Sequence, residues 1–287
     1  MIGSDKDYPL VVACLATWNG ESFIADTLAS LAAQTYPNLK VLISDDASTD
    51  NTAVICERFA TGDFRFHLLR QPRRSGWVGN VNTLLNAAQG DYFFFISHDD
   101  VAAPAYVTRL VEKLENQPSA ILAFSDMEFV NLNGDREIQT YADLDGIERR
   151  ISRGHRMLRL RGPWWIPYRG IFRAAAAEHV GGLRMNLAGE FAADWPWLFH
   201  MSLLGEFVRV PEVLYRRVQR EKSLSRMWNY TARAWLAATL ACASEIYRSH
   251  LSAIEKILLH GSLANACLRW TWEGVSFHLK RITLPQR

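Results

Sequence analysis

Tyr92-Phe-Phe-Phe-Ile-Ser-His-Asp-Asp100 is an apolar run that ends in two adjacent carboxylates, and Val41-Leu-Ile-Ser-Asp-Asp46 repeats the arrangement upstream. Apolar runs of this length are typical of strands that are buried on both faces of a parallel sheet. Carboxylates at the carboxyl ends of neighbouring parallel strands converge on one crevice, where open α/β sheets bind their ligands. The two stretches therefore predict an α/β fold with an acidic site at one edge of its sheet.

Around these stretches, short apolar runs alternate with amphipathic ones. The periodicity predicts strands at residues 10–16, 39–44, 64–69, 92–97 and 120–124, separated by helices at 22–33, 50–60, 78–88 and 104–116. Regular alternation with short joints predicts a mostly parallel central sheet that is flanked by helices and connected by right-handed crossovers.

After residue 125 the alternation stops. We predict a strand and a helix between 166 and 182, a helix at 191–204, a strand at 207–211 that Pro211 closes, and helical structure from 225 to about 260. The predicted organisation is one domain over 1–225, made of halves 8–125 and 126–225, followed by a C-terminal helical extension over 226–287.

Composition narrows the class of protein. With 287 residues, of which 49% are hydrophobic, the chain can bury a full core. Lysine and arginine total 32 against 30 acids, so the net charge of +2 gives no general case for nucleic-acid binding. The four cysteines lack C-x-x-C spacing and predict buried thiols in a reducing compartment. The acidic amino terminus and the lack of an apolar window of about 18 residues predict a cytoplasmic protein.

The acidic strand ends suit two kinds of ligand. A carboxylate can hydrogen-bond a nucleotide base, and another can hold Mg²⁺ or Mn²⁺ that neutralises a diphosphate. Asp46 and Asp99 lie in the right places for these two tasks. An acidic turn before a helix can also simply cap that helix, but two such turns within one alternating α/β unit favour a ligand site.

Several motifs resemble those of the family 2 inverting glycosyltransferases, which share the nucleotide-diphospho-sugar transferase fold. The resemblance runs from about Leu10 to Ser225. It rests on six segments: Leu10-Val-Val-Ala-Cys-Leu-Ala-Thr-Trp-Asn-Gly-Glu21, Leu31-Ala-Ala-Gln-Thr-Tyr-Pro-Asn38, Asp45-Asp-Ala-Ser-Thr-Asp50, Gly79-Asn-Val-Asn82 with Ala88-Gln-Gly-Asp91, Gly189-Glu-Phe-Ala-Ala-Asp-Trp-Pro-Trp-Leu198, and Pro211-Glu-Val-Leu-Tyr-Arg216 through Ser223-Leu-Ser225. Together they are far more specific than any one of them.

The resemblance implies roles for particular residues. Asp194 is the implied general base, with Glu190 as the second candidate, and Asp99 is the implied ligand of Mn²⁺ or Mg²⁺. Residues 8–125 become the nucleotide-binding half and 126–225 the acceptor-binding half. The implied nucleotide-sugar contacts are Ala16, Thr17, Asn19, Glu21, Asp46, Gly76, Asn82 and His98.

The sequence departs from the family pattern at five places, the first being Trp18 in the tyrosine position of the T-Y-N loop. Ser97 replaces the first acid of the metal motif D-x-D, and Ala193 replaces the acid before the base. Ala47 replaces the glycine of D-D-G-S-T-D. Gln219 stands near an expected histidine, where Arg217 can supply the phosphate contact instead.

An arginine-rich tract supplies candidate acceptor contacts. It carries eight arginines and no acid between Arg149 and Arg173, and it encloses Trp164 and Trp165. The tract can bind a phosphate of a lipid-linked acceptor, lie on an anionic membrane, or form a solvated basic face around a mobile loop. The tail residues Trp270, Trp272 and Phe277 either pack on the core or touch a membrane surface.

These inferences lead to one functional hypothesis and two competitors. The hypothesis is a metal-dependent glycosyltransferase that moves a sugar from a nucleotide-diphosphate donor to a glycan or lipid-linked acceptor, in surface polysaccharide or glycolipid synthesis. A nucleotidyltransferase needs a basic, glycine-rich loop after the first strand, but the loop Thr17-Trp-Asn-Gly-Glu21 is acidic. A non-catalytic sugar-nucleotide or glycan-binding module is favoured by the acids lost at Ser97 and Ala193.

Overall fold

The computed structural model describes residues 8–159, 164–221, 228 and 230–283, with side chains as far as Leu268. Its strands are β1 (Val11–Thr17), β2 (Leu39–Asp45), β3 (Phe66–Arg70), β4 (Tyr92–Ser97), β5 (Val101–Ala102), β6 (Ala120–Val130), β7 (Arg136–Gln139), β8 (Ile171–Arg173) and β9 (Glu206–Val218). The helices are α1 (Ile24–Ala32), α2 (Thr52–Gly62), α3 (Gly76–Ala87), α4 (Tyr106–Glu115), α5 (Arg150–Leu158), α6 (Trp165–Tyr168), α7 (Ala174–Val180), α8 (Asp194–Ser202), α9 (Ala232–Arg248) and α10 (Ala253–Thr283), with a 3₁₀ turn at Ala142–Leu144.

Within the described residues, nine strands form one sheet in the order β3-β2-β1-β4-β8-β6-β9-β5, with β7 beside β6. Strands β1 to β4 are parallel neighbours. Strand β8 runs antiparallel to both β4 and β6, and β9 is parallel to β6. Six strands therefore share one direction, while β5, β7 and β8 oppose it. The α/β class with flanking helices is confirmed, and the sheet as a whole is mixed.

Strand β9 is longer than the predicted strand at 207–211. It spans 13 residues, and its register with β6 shifts between Ser125 and Asp126, where Val210 and Val213 are the successive partners. Pro211 lies within this bulge, a position where a missing backbone N–H costs no ladder hydrogen bond. The prediction that Pro211 closes the strand is wrong, because the bulge lets the strand continue to Val218.

The arginine tract is solvated only in part, since Arg149, Arg150 and Arg159 are exposed whereas the other described arginines of the tract are buried or partly buried. Residues 150–158 form α5, and Arg153 is only 2% exposed. Its guanidinium donates to the carbonyl oxygens of Ser202, Ile147 and Glu148 at 2.6–2.7 Å. Arg150 pairs with Glu255, Arg156 with Asp143 and Arg169 with Asp100. Arg161 lies outside the described residues.

The predicted C-terminal extension forms two helices, which are separated at residues 249–252. Both helices share the core of the rest of the protein. Buried apolar residues reach that core from α9 and from α10: Ala238, Cys242, Ile246, Leu259, Leu263 and Ala266. Ser225 and the side chains of Trp270, Trp272 and Phe277 lie outside the described residues.

Two further observations bear on the composition-based predictions. Cys14, Cys56 and Cys242 are buried free thiols, as predicted, and Cys267 is partly exposed. Among the described residues, no helix combines the length and the apolar character that crossing a membrane requires.

Candidate active site

The loops that follow β1 and β2 are joined at the carboxyl edge of the sheet, where they form one wall of the candidate cleft. Thr17 and Asp45 end these strands in matching register. Asn19 accepts a hydrogen bond from the Thr49 N–H at 2.9 Å, and the Gly20 N–H donates to Thr52 Oγ1 at 2.7 Å. Glu21 accepts from the backbone and side-chain N–H groups of Asn51, both at 2.9 Å. The side chains of Asn19 and Glu21 therefore brace this wall.

Asp46 joins the wall to the start of α3. One carboxylate oxygen accepts from the Ser75 N–H at 2.6 Å and the Ser75 hydroxyl at 2.7 Å, and the other accepts from the Gly76 N–H at 2.9 Å. Three protein donors thus hold this 2%-exposed carboxylate. Ala47 has a φ of 55°, a left-handed conformation that favours glycine and explains why the family pattern has glycine there.

His98 lies against Thr17 at the bottom of the wall. Its Nδ1 is 3.0 Å from Thr17 Oγ1, and its ring centroid is 5.0 Å from that of Phe23. Burial lowers the pKa of His98 to about 4, so the imidazole is neutral near pH 7. Ala16 pairs in register with both Ser44 and Ser97, which places it between the two acidic strand ends.

The adjacent acids after β4 have different environments. Asp100 is 1% exposed and accepts from Arg169 Nε at 2.8 Å and from the Tyr215 hydroxyl at 2.9 Å. Asp99 forms no ion pair within the described residues. Burial and the neighbouring charge of Asp100 raise the pKa of Asp99, while Arg169 and Arg217 oppose that shift. Asp100 is thus a structural anchor, and Asp99 is the acid left for a ligand.

These donors fit a divalent cation only when the ligand completes the coordination. Within the described part of the chain, no cluster of three or more histidine, cysteine or acidic side chains is arranged to hold a metal. Asp99 offers one carboxylate, and His98 keeps Nε2 because Thr17 occupies Nδ1. Mg²⁺ retains several waters and is commonly bound by one or two carboxylates plus phosphate oxygens. The residues therefore suit a cation that arrives with a diphosphate.

Arg169 links Asp99 to the region of Asp194. Its guanidinium donates to Asp100, to the Trp165 carbonyl at 3.2 Å and to Ser97 Oγ at 3.3 Å. Burial raises the pKa of both Asp99 and Asp194, and the positive charge of Arg169 partly opposes the rise in each, so both carboxylates lie within the electrostatic reach of one buried cation. The Ser97 hydroxyl accepts from this arginine where the family pattern has an acid.

Asp194 is the first residue of α8 and is 8% exposed. Burial raises the pKa of its carboxyl, and the Trp164 indole, Arg169 and nearby backbone N–H groups partly oppose the rise. Its Oδ1 has no hydrogen-bond partner among the described residues. A carboxylate with a raised pKa and a free oxygen has the properties of a general base.

Glu190 and Asn82 join the two halves of the chain. Glu190 accepts from the Val78 N–H at 2.9 Å, which caps α3, and a Cβ on Gly76 would come within 2.6 Å of its Oε1. The Asn82 amide donates to the Leu183 carbonyl at 2.9 Å and accepts from the Leu183 N–H at 2.8 Å. Both side chains therefore connect segments of the protein by hydrogen bonds. The Asn82 amide, a predicted nucleotide-sugar contact, is used in these bonds and is not free to bind a ligand.

Arg217 and two tryptophans, the candidate acceptor contacts, pack near one another. The Arg217 guanidinium lies 5.5 Å from the ring centroids of Phe129 and Trp165, and burial together with Arg169 lowers its pKa. It forms no ion pair within the described residues. Trp165 donates to Gln139 at 3.3 Å, and Trp164 packs on Trp165 and stacks on Trp195.

Sequence reasoning missed the residues that hold the site together. Arg169 and Tyr215 are separated from Asp100 by 69 and 115 positions, so no local motif links the three. Asn80 is buried and donates to the carbonyl oxygens of Ser44 and Thr17, which ties the ends of β1 and β2 to α3. The one available signal was the excess of arginines near residue 169.

Comparison with known proteins identifies the family. The model of the family described as Glycosyl transferase family 2 matches residues 12–176, which is more than half of the chain. The chain belongs to this family. Glycosyltransferase GlyA of Streptococcus pneumoniae serotype 4 (strain ATCC BAA-334 / TIGR4) is 26% identical over 256 residues, which cover 85% of this chain and 34% of GlyA.

Solved structures confirm the fold. S. aureus TarS 1–349 in complex with UDP-GlcNAc matches with a TM-score of 0.70 at 19% identity, covering 90% of this chain and 72% of that one. Mannosyltransferase PcManGT from Pyrobaculum calidifontis, in complex with GDP-Man and Mn²⁺, matches with a TM-score of 0.57 at 16% identity, covering 96% and 81%. The chain spans only 34–39% of the length of three curated relatives that include GlyA.

Proposed function

We propose that this chain is the catalytic part of a cytoplasmic, inverting glycosyltransferase, which moves a sugar from a nucleotide-diphosphate donor to an acceptor hydroxyl. The observation that carries the proposal is a pair of buried carboxylates, Asp99 and Asp194, which both feel the charge of Arg169 and form no ion pair among the described residues. Such a pair can place the leaving diphosphate and the acceptor on opposite sides of one anomeric carbon.

The donor binds along the wall formed by the loops after β1 and β2. Thr17, Ala16, Asp46 and Gly76 lie at the ends of the parallel strands and at the start of α3, which is where α/β sheets accept nucleotides. Asn19 and Glu21 act indirectly, because their side chains hold the two loops together. Asp46 contributes through the ordered turn at Ser75, which its carboxylate holds.

Asp99 holds Mn²⁺ or Mg²⁺ together with the donor diphosphate, and neutral His98 lies beside it. PcManGT was solved with Mn²⁺, which supports this choice of metal. When bound, the cation neutralises the charge that develops on the departing diphosphate. Arg217 supplies a second positive charge near Asp99, and its free N–H groups can contact a phosphate oxygen.

Asp194 accepts the proton of the acceptor hydroxyl as that oxygen attacks the anomeric carbon. The bond from that carbon to the diphosphate breaks on the opposite face, so the configuration inverts. The raised pKa makes Asp194 a stronger base than an exposed aspartate. Since Asp194 must be ionised to act, we expect the rate to increase with pH through the pKa of Asp194 and then to level off.

Trp164 and Trp165 form an apolar wall for the acceptor beside Asp194 and Arg217. A sugar ring can pack on such a surface, while the arginine suits a phosphate of a lipid-linked glycan. We extend the proposal to surface polysaccharide or glycolipid synthesis, which is what the family resemblance implies. Contact with a membrane is a further part of the proposal for lipid-linked acceptors.

The test combines ligand binding with turnover. A thermal-shift panel of UDP- and GDP-sugars, with and without Mn²⁺, should give a stabilising donor, because ligand binding raises folding stability by RT ln(1 + [L]/Kd). With that donor, Asp194→Asn should lose about 10²- to 10⁴-fold in kcat and keep the thermal shift. Asp99→Asn should lose the extra shift that Mn²⁺ provides.

Asp143→Asn is the matched control, since Asp143 is 61% exposed and, within the part of the chain that the structure describes, pairs only with Arg156. It should keep both turnover and thermal shift. A wild-type protein that binds nucleotide sugar but remains as inactive as Asp194→Asn across a broad panel of acceptors would instead support the non-catalytic binding module.

A further inference from the structure

Two buried polar atoms beside the base have no partner in the described part of the chain. They are Asp194 Oδ1 and Trp164 Nε1, and their side chains are 8% and 6% exposed. Buried polar groups almost always form hydrogen bonds, and leaving one unsatisfied costs about 1–3 kcal/mol. Two such atoms in one place therefore indicate a binding site for a missing polar group.

The two atoms have complementary chemistry. An ionised carboxylate only accepts hydrogen bonds, whereas an indole N–H only donates. A hydroxyl does both, so one hydroxyl can satisfy both atoms at once. The Trp164 indole lies close enough to Asp194 for a weak hydrogen bond that lowers the pKa of its carboxyl, but neither Trp164 Nε1 nor Asp194 Oδ1 has a partner with good geometry.

We propose that Asp194 Oδ1 and Trp164 Nε1 together form the binding site of the acceptor hydroxyl, an inference that rests on the proposed transferase function. The hydroxyl donates its hydrogen to Asp194, and its oxygen accepts from the Trp164 N–H. These contacts leave the remaining lone pair of the oxygen to attack the anomeric carbon. The proton passes to Asp194, the new carbon–oxygen bond forms, and the diphosphate departs with the bonding electrons.

Packing holds the Trp164 ring in this position. It stacks on Trp195 at a centroid distance of 5.8 Å and contacts the edges of Trp165 at 5.7 Å and Trp235 at 6.1 Å. Trp195 also donates its own N–H to the Met157 carbonyl at 3.1 Å. The Trp164 N–H is therefore a fixed donor that needs no rearrangement when the acceptor arrives.

A high-resolution crystal structure of the full chain tests the geometry without any need for turnover. We expect an ordered water in place of the acceptor hydroxyl, within about 3.2 Å of both Asp194 Oδ1 and Trp164 Nε1. A direct hydrogen bond of good geometry between the two atoms, or a protein group bonded to either, would overturn the proposal. Because this readout needs no substrate, it stays informative if the proposed function fails.

Trp164→Phe tests the role in the reaction. It removes the N–H and keeps an aromatic ring, so we expect about a 10- to 100-fold loss in kcat/KM, measured as nucleoside diphosphate released from the donor that the thermal-shift panel identifies. The acidic limb of the pH–rate profile should also move to higher pH, because the indole N–H lowers the pKa of Asp194.

The other groups facing Asp194 stay unchanged in this variant. They are Arg169 after α6, Tyr168 on α6, Tyr230 before α9 and the backbone N–H groups of α8. If Trp164 acted only through packing, water entering beside Phe would move the limb to lower pH or leave it in place, which would contradict the proposal.

Tyr168→Phe is the matched control, at the end of the helix that Trp164 precedes. The Tyr168 hydroxyl is also buried without a partner, so its removal deletes one polar atom from the same neighbourhood. We expect the acidic limb of this variant to coincide with that of the wild type. A shift equal to that of Trp164→Phe would show that any loss of polarity moves the limb, and the assignment of the Trp164 N–H would fail.

Discussion

At the scale of single residues, burial of Asp194 makes its carboxylate a stronger base but lowers the free energy of unfolding. Burial raises the pKa of the Asp194 carboxyl in the folded protein above its value in the unfolded chain. As the pH rises past about 3.9, the unfolded chain ionises this group while the folded protein still binds the proton. Asp194 therefore lowers the free energy of unfolding as the pH rises through this window, and the penalty persists above it.

We expect Asp194→Asn to raise the free energy of unfolding by about 1 kcal/mol at pH 8, with a smaller gain at pH 5. Urea unfolding at the two pH values measures the difference. Asp143→Asn, which changes an exposed carboxylate, should show no gain at either pH. A loss of stability for Asp194→Asn at pH 8 would mean that the carboxylate is stabilised in the folded protein and is poorly suited to act as a base.

Ala47 allows a second prediction at this scale. Its φ of 55° is unfavourable for a residue with a Cβ, by roughly 1–2 kcal/mol. Ala47→Gly removes this strain but adds flexibility to the unfolded chain, so we expect a net gain of about 0.5–1 kcal/mol in urea unfolding. Ala264→Gly, at an exposed helical position with ordinary geometry, should lose about 1 kcal/mol instead. Equal losses in both variants would contradict the strain at Ala47.

The sequence located the candidate acids but not their partners. Asp46, Asp99 and Asp194 stand at strand ends and at a helix start, which local patterns reveal. The partners of Asp100 come from β9 and from the end of α6, and the site depends on them to leave Asp99 unpaired. Contacts over such separations follow from strand order, which periodicity alone does not encode.

At the scale of elements, the first half of the chain was predictable because each strand and helix follows its own period. The insertion of β8 between β4 and β6 was not, since this strand has only three residues and pairs antiparallel with both neighbours. Helix α5 was not predicted, because its arginines suggest solvent exposure and mask the helical period. Arg153 enters the core because three carbonyl oxygens satisfy its guanidinium.

Helix α3 joins the two halves of the cleft, which allows a test of the second base candidate. The Glu190 carboxylate caps α3 through the Val78 N–H. Glu190→Gln keeps an acceptor oxygen, so we expect turnover within about threefold of wild type, since a neutral cap sacrifices only the roughly 0.3–1 kcal/mol of charge–dipole energy. Glu190→Ala removes the cap, at about 1 kcal/mol, and should weaken donor binding in the thermal-shift panel.

This pair of variants shows whether Glu190 only caps α3 or acts as the general base. A general base fails equally as glutamine and as alanine, because neither side chain accepts a proton near neutral pH. Kinetic assays that found Glu190→Gln as inactive as Glu190→Ala would transfer the role of the base from Asp194 to Glu190.

At the scale of the whole molecule, the C-terminal helices are part of the same folded body as the cleft. Helix α8, which begins with Asp194, is tied to α9 by a buried ion cluster. In this cluster, the Glu245 carboxylate lies 2.7 Å from His200 Nδ1 and 3.2 Å from Arg184 Nη1. Burial alone would raise the pKa of Glu245, but the hydrogen bond from His200 and the charge of Arg184 bring it below its usual value. The cluster therefore favours the folded state at neutral pH and weakens in acid.

Truncation tests whether residues 226–287 are a dispensable extension. A chain ending at Glu221 loses the buried Ile246, Leu259 and Leu263 and the Glu245 ion cluster. Burial of each large apolar side chain contributes about 1.5–3 kcal/mol, so the loss is comparable with the 5–15 kcal/mol that stabilises a typical domain. We expect the chain ending at Glu221 to lack a cooperative urea transition and to bind a hydrophobic dye.

A chain ending at Leu268 keeps every buried α10 side chain that the structure describes, and it should unfold cooperatively. Cooperative unfolding of the shorter chain, with a midpoint equal to that of the full chain, would show instead that the catalytic domain ends before α9.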